Sequence, residues 1–106
     1  MKRGEIWFAD VGRGVGRPVL VLTRDPVAER IDAVVVAQLT TTIRGLTSEL
    51  RLGTADGLQR DCVASFDNLH TLPKSAFRRR VATLRPPRLV EACDRLADAL
   101  GCGGRH

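Results

Sequence analysis

The chain has 106 residues, enough for one domain and too few for two. Its 43% apolar and 27% charged content is that of an ordinary globular protein, and a domain of this size can hold a core without disulfides or a structural metal. The net charge of +5 points to an acidic partner, while no apolar run nears the ~18–20 residues needed to cross a bilayer.

Met1-Lys2-Arg3-Gly4-Glu5 leads directly into an alternating strand and not into a signal peptide, so a cytoplasmic protein is expected. In that strand Ile6 and Phe8 alternate with Glu5 and Trp7, and it ends at Asp10. Gly12, Gly14 and Gly16 then make residues 11–16 a mobile loop, with Arg13 inside it. Residues 18–23 form a second strand opened by Pro18, where a missing N–H is tolerated. Residues 24–32 read as a polar connection.

Residues 33–40 are the most β-prone part of the chain, apolar on both faces until Gln38 and Thr40, which is the pattern of a central strand. Leu50 and Leu52 alternate with Glu49 and Arg51 in a shorter strand. Residues 62–66 and 69–72 make two more, divided by Asp67-Asn68. Lys74 to Phe77 allows a single turn, and the arginine-rich stretch at residues 78–84 fits no period. A helix opens at Pro86-Pro87, carries Leu89, Cys93, Leu96 and Leu100 at three- and four-residue steps, and stops at Gly101.

The fold class is therefore mainly β with a C-terminal helix: five to six short, mostly antiparallel strands in a small barrel or strongly bent sheet. Residues 1–101 form one domain, and residues 102–106 are expected to be a flexible tail. Cys62, Cys93 and Cys102 share no metal-binding or disulfide spacing, and Cys62 and Cys93 read as buried filler. No metal site is expected. The basic excess consists of 15 Arg and 2 Lys, a skew that codon composition can produce, so charge alone leaves nucleic-acid binding open.

Polar residues gather at the ends of apolar strands. Arg17 precedes the second strand, Gln38, Thr40, Thr41 and Thr42 close the third, and Asp67, Asn68, His70 and Thr71 follow the fifth. If the second and third strands pair antiparallel, Arg17 and Thr40 share one rim. Arginine offers a planar fork to phosphate oxygens, and a threonine hydroxyl adds a donor to a pentacoordinate phosphorus. RNA supplies its own nucleophile, the 2′-hydroxyl, so such a rim needs no metal-bound water. Each residue also has a plain structural reading: Arg17 as solvated surface, Thr40 to Thr42 as a β-branched strand end, Asp67-Asn68 as a turn, His70 as a partner-bonded surface residue.

At these same residues the sequence resembles the MazF/PemK toxins. Arg3-Gly4-Glu5-Ile6-Trp7 matches their opening pattern, and Arg17-Pro18-Val19-Leu20-Val21-Leu22 matches their arginine-proline strand. A third strand ending at Thr40 and Asp67-Asn68-Leu69-His70-Thr71-Leu72 follow in the right order, and the match spans residues 3 to about 101. The resemblance implies an SH3-like barrel, a homodimer, a cognate antitoxin and metal-independent, cofactor-free, sequence-specific cleavage of single-stranded RNA to 2′,3′-cyclic phosphate and 5′-hydroxyl ends.

It further implies Arg17, Thr40 and Asp67 as catalytic residues, with Arg13, Gln38, Thr41, Asn68 and His70 as RNA contacts. Arginine stays protonated, so Arg17 would bind the scissile phosphate while Asp67 is the more natural base for the 2′-hydroxyl. The sequence departs from its relatives in a glycine loop without their acidic and lysine residues, in Asn68 for glutamine and in His70 for arginine. Two other readings of the same barrel are a CcdB-type toxin that poisons a topoisomerase through protein contacts and a catalytically inactive RNA-binding barrel.

Overall fold

Residues 1–102 are described by the structure, a computed structural model, and most of the expected tail, residues 103–106, lies outside the described residues. Six strands, β1 (Glu5–Asp10), β2 (Gly16–Val21), β3 (Ala33–Thr40), β4 (Glu49–Leu52), β5 (Cys62–Pro73) and β6 (Phe77–Thr83), join one helical turn, α1 (Val27–Arg30), and a terminal helix, α2 (Pro86–Leu100). All strand pairs are antiparallel and the sheet order is β4-β5-β3-β2-β1-β6. The sheet curls into a half-barrel with α2 across one face, the architecture expected of an SH3-like barrel.

Strand β3 has the central place that its apolar run implies, paired with β2 on one side and β5 on the other. Side chains alternate across a strand, so β2 and β3 feed two separate clusters. Leu20, Leu22, Ala37 and Leu39 join Ile6, Leu50, Leu52, Ala64 and Phe66 beneath α2. Val19, Val21, Val34 and Val36 join Ala9 and Leu72 on the other face, with Ala28, Trp7 and Phe77 packed around them.

Strand β5 is continuous where two strands were expected, and the dividing residues explain why. Gln38 pairs with Ser65 but Ala37 pairs with Leu69, so residues 66–68 bulge out of the ladder. The bulge buries Phe66 in the core while exposing Asp67 and Asn68. Ser48 secures it twice: its carbonyl accepts the Phe66 N–H at 3.0 Å, and its hydroxyl donates to Asp67 Oδ2.

Three other expectations are corrected. The polar connection before β3 contains the helical turn α1, because Ala28 is buried against the second cluster. The aperiodic stretch after Phe77 is edge strand β6, whose run Arg78-Arg79-Arg80 hides any alternation and charges an exposed sheet edge. Helix α2 is present but rotated by one position: Leu89, Ala92, Leu96 and Ala99 face the core, leaving Cys93 and Leu100 exposed. Cys93 is thus no core filler, and it accepts a hydrogen bond from Arg3 Nη2 at 3.2 Å. Cys62 is buried as expected. Gly101 ends the helix at φ 70° with its N–H on Ala97 and Asp98 carbonyls.

Phe66 is 1% exposed and Val90 62% exposed. Phe66→Ala should cost about 3–5 kcal/mol in denaturant unfolding, whereas Val90→Ala should stay within about 0.5 kcal/mol.

Candidate functional site

Register places the candidate residues. Val19 pairs with Gln38, Leu20 with Ala37 and Val21 with Val36. Counting two residues outward along each strand sets Arg17 across from Thr40, and alternation puts both on the Val19 and Gln38 face. His70 pairs with Val36 on the same face, and its Nε2 lies 3.1 Å from Gln38 Oε1. Arg17, Gln38, Thr40 and His70 therefore form one polar group at the end of an otherwise apolar surface.

The hydrogen bonds of this group leave its reactive donors available. Thr40 Oγ1 accepts the backbone N–H of Thr42 at 3.1 Å, which fixes the oxygen and leaves its proton free to donate outward. Arg17 spends one N–H on the Gly16 carbonyl at 3.0 Å and is otherwise exposed. Beyond Thr42 the chain is stiffened by Glu49, whose Oε1 accepts backbone N–H groups of Arg44, Gly45 and Leu46 at 3.2, 3.0 and 3.3 Å.

A cavity of about 720 Å³ opens where the curled sheet ends. Arg17, Gln38, Thr40 and Thr41 border it together with Phe8, Pro18, Leu39, Leu58, Gln59, Arg60, Cys62, Arg79, Arg80 and Val81. Arg13, Asp67, Asn68 and His70 do not. Arg13 stands exposed on the β1–β2 loop at φ 56°. Asp67 is on β5, two strands from Arg17, and its carboxylate is taken by Ser48. His70 reaches the cavity only through Gln38.

Several residues here carry no signal that a strand-end search detects. Phe8, an alternating residue of the first strand, lines the cavity, with the Arg79 and Arg78 guanidinium carbons 5.4 and 6.0 Å from its ring centroid. Arg79 and Arg80 sit in the aperiodic run, and Gln59 and Arg60 sit in the connection after β4. Trp7 packs edge-to-face on Phe77 at 5.9 Å.

Two acidic groups near the site, Glu5 and Asp56, are already engaged. Glu5, 6% exposed, accepts from the Trp7 indole at 2.9 Å, the Lys2 N–H at 3.1 Å and Arg80 at 3.3 Å. Burial pushes its carboxyl upward, but these donors outweigh burial and hold it below the ordinary 4.5. Asp56 accepts from Arg88 at 2.9 Å and from the Gly53 N–H at 3.0 Å, and Arg88 also bonds Glu91 and the Arg51 carbonyl. Burial lowers the Arg88 pKa, but the two carboxylates more than offset it, and the guanidinium stays charged. Burial, then Asp56 and Asp61, raise the pKa of the Cys62 thiol on the cavity wall, which favours its neutral form. Among the described residues no three His, Cys, Asp or Glu side chains cluster as a metal site, and no helix is long and apolar enough to cross a membrane.

The class that the fold and site define is a small curled antiparallel half-barrel with an arginine across from a threonine at its rim. Within that class, the family model for "PemK-like, MazF-like toxin of type II toxin-antitoxin system" matches residues 2–100, and the chain belongs to this family. It is 59% identical over 103 residues to the probable endoribonuclease MazF2 of Mycobacterium tuberculosis, covering 96% of this chain and all of that one. The solved Mycobacterium tuberculosis toxin MazF-mt6 superimposes with a TM-score of 0.84 at 32% identity, over 92% of this chain and 96% of the other. A mycobacterial endoribonuclease in complex with its cognate antitoxin gives 0.85 at 28% identity, over 95% of each chain.

The Glu5 network has a pH signature. A carboxyl lowered on folding adds stability above its unfolded value, near 4.5, and loses it as pH falls through the folded value. Urea midpoints should be steady down to about pH 5 and drop below about pH 4.5. In Glu5→Gln the midpoint should be lower at neutral pH and the acid drop smaller.

Proposed function

We propose that this chain is the toxin of a toxin–antitoxin pair and acts as an endoribonuclease on single-stranded RNA. The observation that carries the reading is Arg17 opposite Thr40 on one face, with the threonine proton free to donate. The 2′-hydroxyl of the RNA gives up its proton to solvent as its oxygen attacks phosphorus, the bond to the 5′-oxygen breaks, and that oxygen takes a proton from water, leaving a 2′,3′-cyclic phosphate and a 5′-hydroxyl. Arg17 binds and neutralises the phosphate oxygens with its guanidinium fork. Thr40 donates to the oxygen that gains charge in the transition state. The nucleophile is internal to RNA, so the reaction proceeds without a metal, and DNA is left intact.

Gln38 and Thr41 border the same cavity and contact the RNA there, with His70 setting the Gln38 amide from behind. Arg13 and Asn68 are exposed, so their contacts fall on RNA running beyond the cavity. Asp67, tied to Ser48, fits an anchor of the β5 bulge better than a base acting at Thr40. The partner is a cognate antitoxin, a reading supported by the complex that the mycobacterial relative forms. A homodimer in the cytoplasm completes the proposal.

The test is incubation of purified, antitoxin-free protein with long single-stranded RNA in excess EDTA. Discrete fragments with 5′-hydroxyl ends are expected, slowed by about 10²–10³-fold in Arg17→Ala and about 10²-fold in Thr40→Val. Asp67→Asn should slow cleavage less than about tenfold, since a lost general base costs about 10²–10⁴. Intact RNA with the wild type would overturn the reading.

A further inference from the structure

We propose that Glu49 is a positioning residue for the cleavage step, holding the backbone beyond β3 so that the Thr40 hydroxyl keeps its proton directed outward. The proposal rests on the endoribonuclease reading above and adds to it a residue that acts only through Thr40.

Register places Glu49 on the same face as Thr40. It pairs with Ser65 on β5, Ser65 pairs with Gln38 on β3, and directly opposed residues share a face of the sheet. The next row outward is Arg51, Val63 and Thr40. Strands β3 and β4 therefore flank β5 and run in one direction, so residues 41–48 cross over β5. They cross on the Thr40 face, because the Glu49 side chain stands on that face and reaches their N–H groups. Val63 is fully buried there although it belongs to neither core cluster, as befits a residue beneath the crossover.

Residues 41–47 are exposed, and a bare crossover of that kind opens locally at little cost. Glu49, 7% exposed, is what closes it. One of its oxygens accepts the N–H groups of Arg44, Gly45 and Leu46, and its own N–H donates to the Leu46 carbonyl at 3.1 Å. Bonds to an ionised oxygen are the stronger kind. Between Thr42 and Thr47 no other side chain among the described residues bonds this backbone; Arg95 reaches it at the Thr47 carbonyl and Ser48 ties down its far end. Thr42, two residues before the cradle, donates its N–H to Thr40 Oγ1. Sheet, carboxylate, crossover and hydroxyl thus form one connected series of bonds. Without the Thr42 N–H on its oxygen the Thr40 hydroxyl rotates freely, and a donor that must be reoriented at each turnover loses its preorganisation.

The experiment is single-turnover RNA cleavage by wild type, Glu49→Ala and Glu49→Gln, each with and without Thr40→Val, with amide hydrogen exchange on the same proteins. Glu49→Ala should lower the maximal rate by roughly tenfold to 10²-fold, no more than the hydroxyl itself supplies, with half-saturating RNA within about twofold of wild type. In the Thr40→Val background the same substitution should change the rate by less than about threefold. Glu49→Gln keeps an oxygen for the three N–H groups and should restore most of the rate. Exchange in Glu49→Ala should quicken at residues 42–46 and stay unchanged in β3 and β5. Cleavage by Glu49→Ala at the wild-type rate, or an equal slowing with and without the Thr40 hydroxyl, would overturn the role and leave the endoribonuclease reading intact. Exchange quickened throughout β3 and β5 would overturn it in favour of a residue that only holds the fold. A wild type that cuts no RNA would remove the underlying reading and the positioning role with it.

Discussion

The register between β2 and β3 is the constraint on which the site depends. Val19 faces Gln38, and everything at the rim follows by counting outward from that pair. A slip of one residue would send Gln38 and Thr40 into the interior beneath α2 and swing their apolar neighbours outward. Two clusters, one on each face, prevent the slip. Val19, Val21, Val34 and Val36 are essentially unexposed on one face, as are Leu20, Ala37 and Leu39 on the other. The core of this small barrel thus aligns an arginine and a hydroxyl that neither strand could position alone.

Electrostatics then separates cations that hold the fold from cations that stay available. Glu5 takes Arg80, and Asp56 takes Arg88, each carboxylate also accepting backbone N–H groups. Arg88 fastens α2 to the turn at Thr54–Asp56, and that turn leads into Gly57, Leu58, Gln59 and Arg60 on the cavity wall. Arg17, Arg60 and Arg79 remain without a carboxylate among the described residues, all bordering one opening. Those three guanidinium groups are therefore available to a phosphate backbone at that opening.

Much of this was legible in the sequence. The apolar run of β3, the proline near the start of β2 and the proline-to-glycine span of α2 are local signals, and local chemistry decides them. Arg17 and Thr40 were legible because antiparallel pairing of consecutive strands is itself a local rule. The β5 bulge was visible only as a break, since burying Phe66 while exposing Asp67 depends on Ser48, nineteen residues earlier. Strand β6 was hidden because its three arginines give no period, and its place beside β1 is set by long-range pairing. Phe8, Gln59 and Arg79 meet only because the sheet curls. The rotation of α2 escaped because alanines at positions 92 and 99, not the bulkier Cys93 and Leu100, allow close approach to the sheet.

That Arg17 and Thr40 act together on one phosphate is tested most directly by a double-mutant cycle on single-turnover RNA cleavage. The measurement compares wild type, Arg17→Ala, Thr40→Val and the double variant under one set of conditions. Two groups that work as a unit are non-additive, so the double variant should be little slower than the slower single variant. A double variant slowed by the full product of the two single effects would show that the residues act independently, and would contradict the shared site that the β2–β3 register builds.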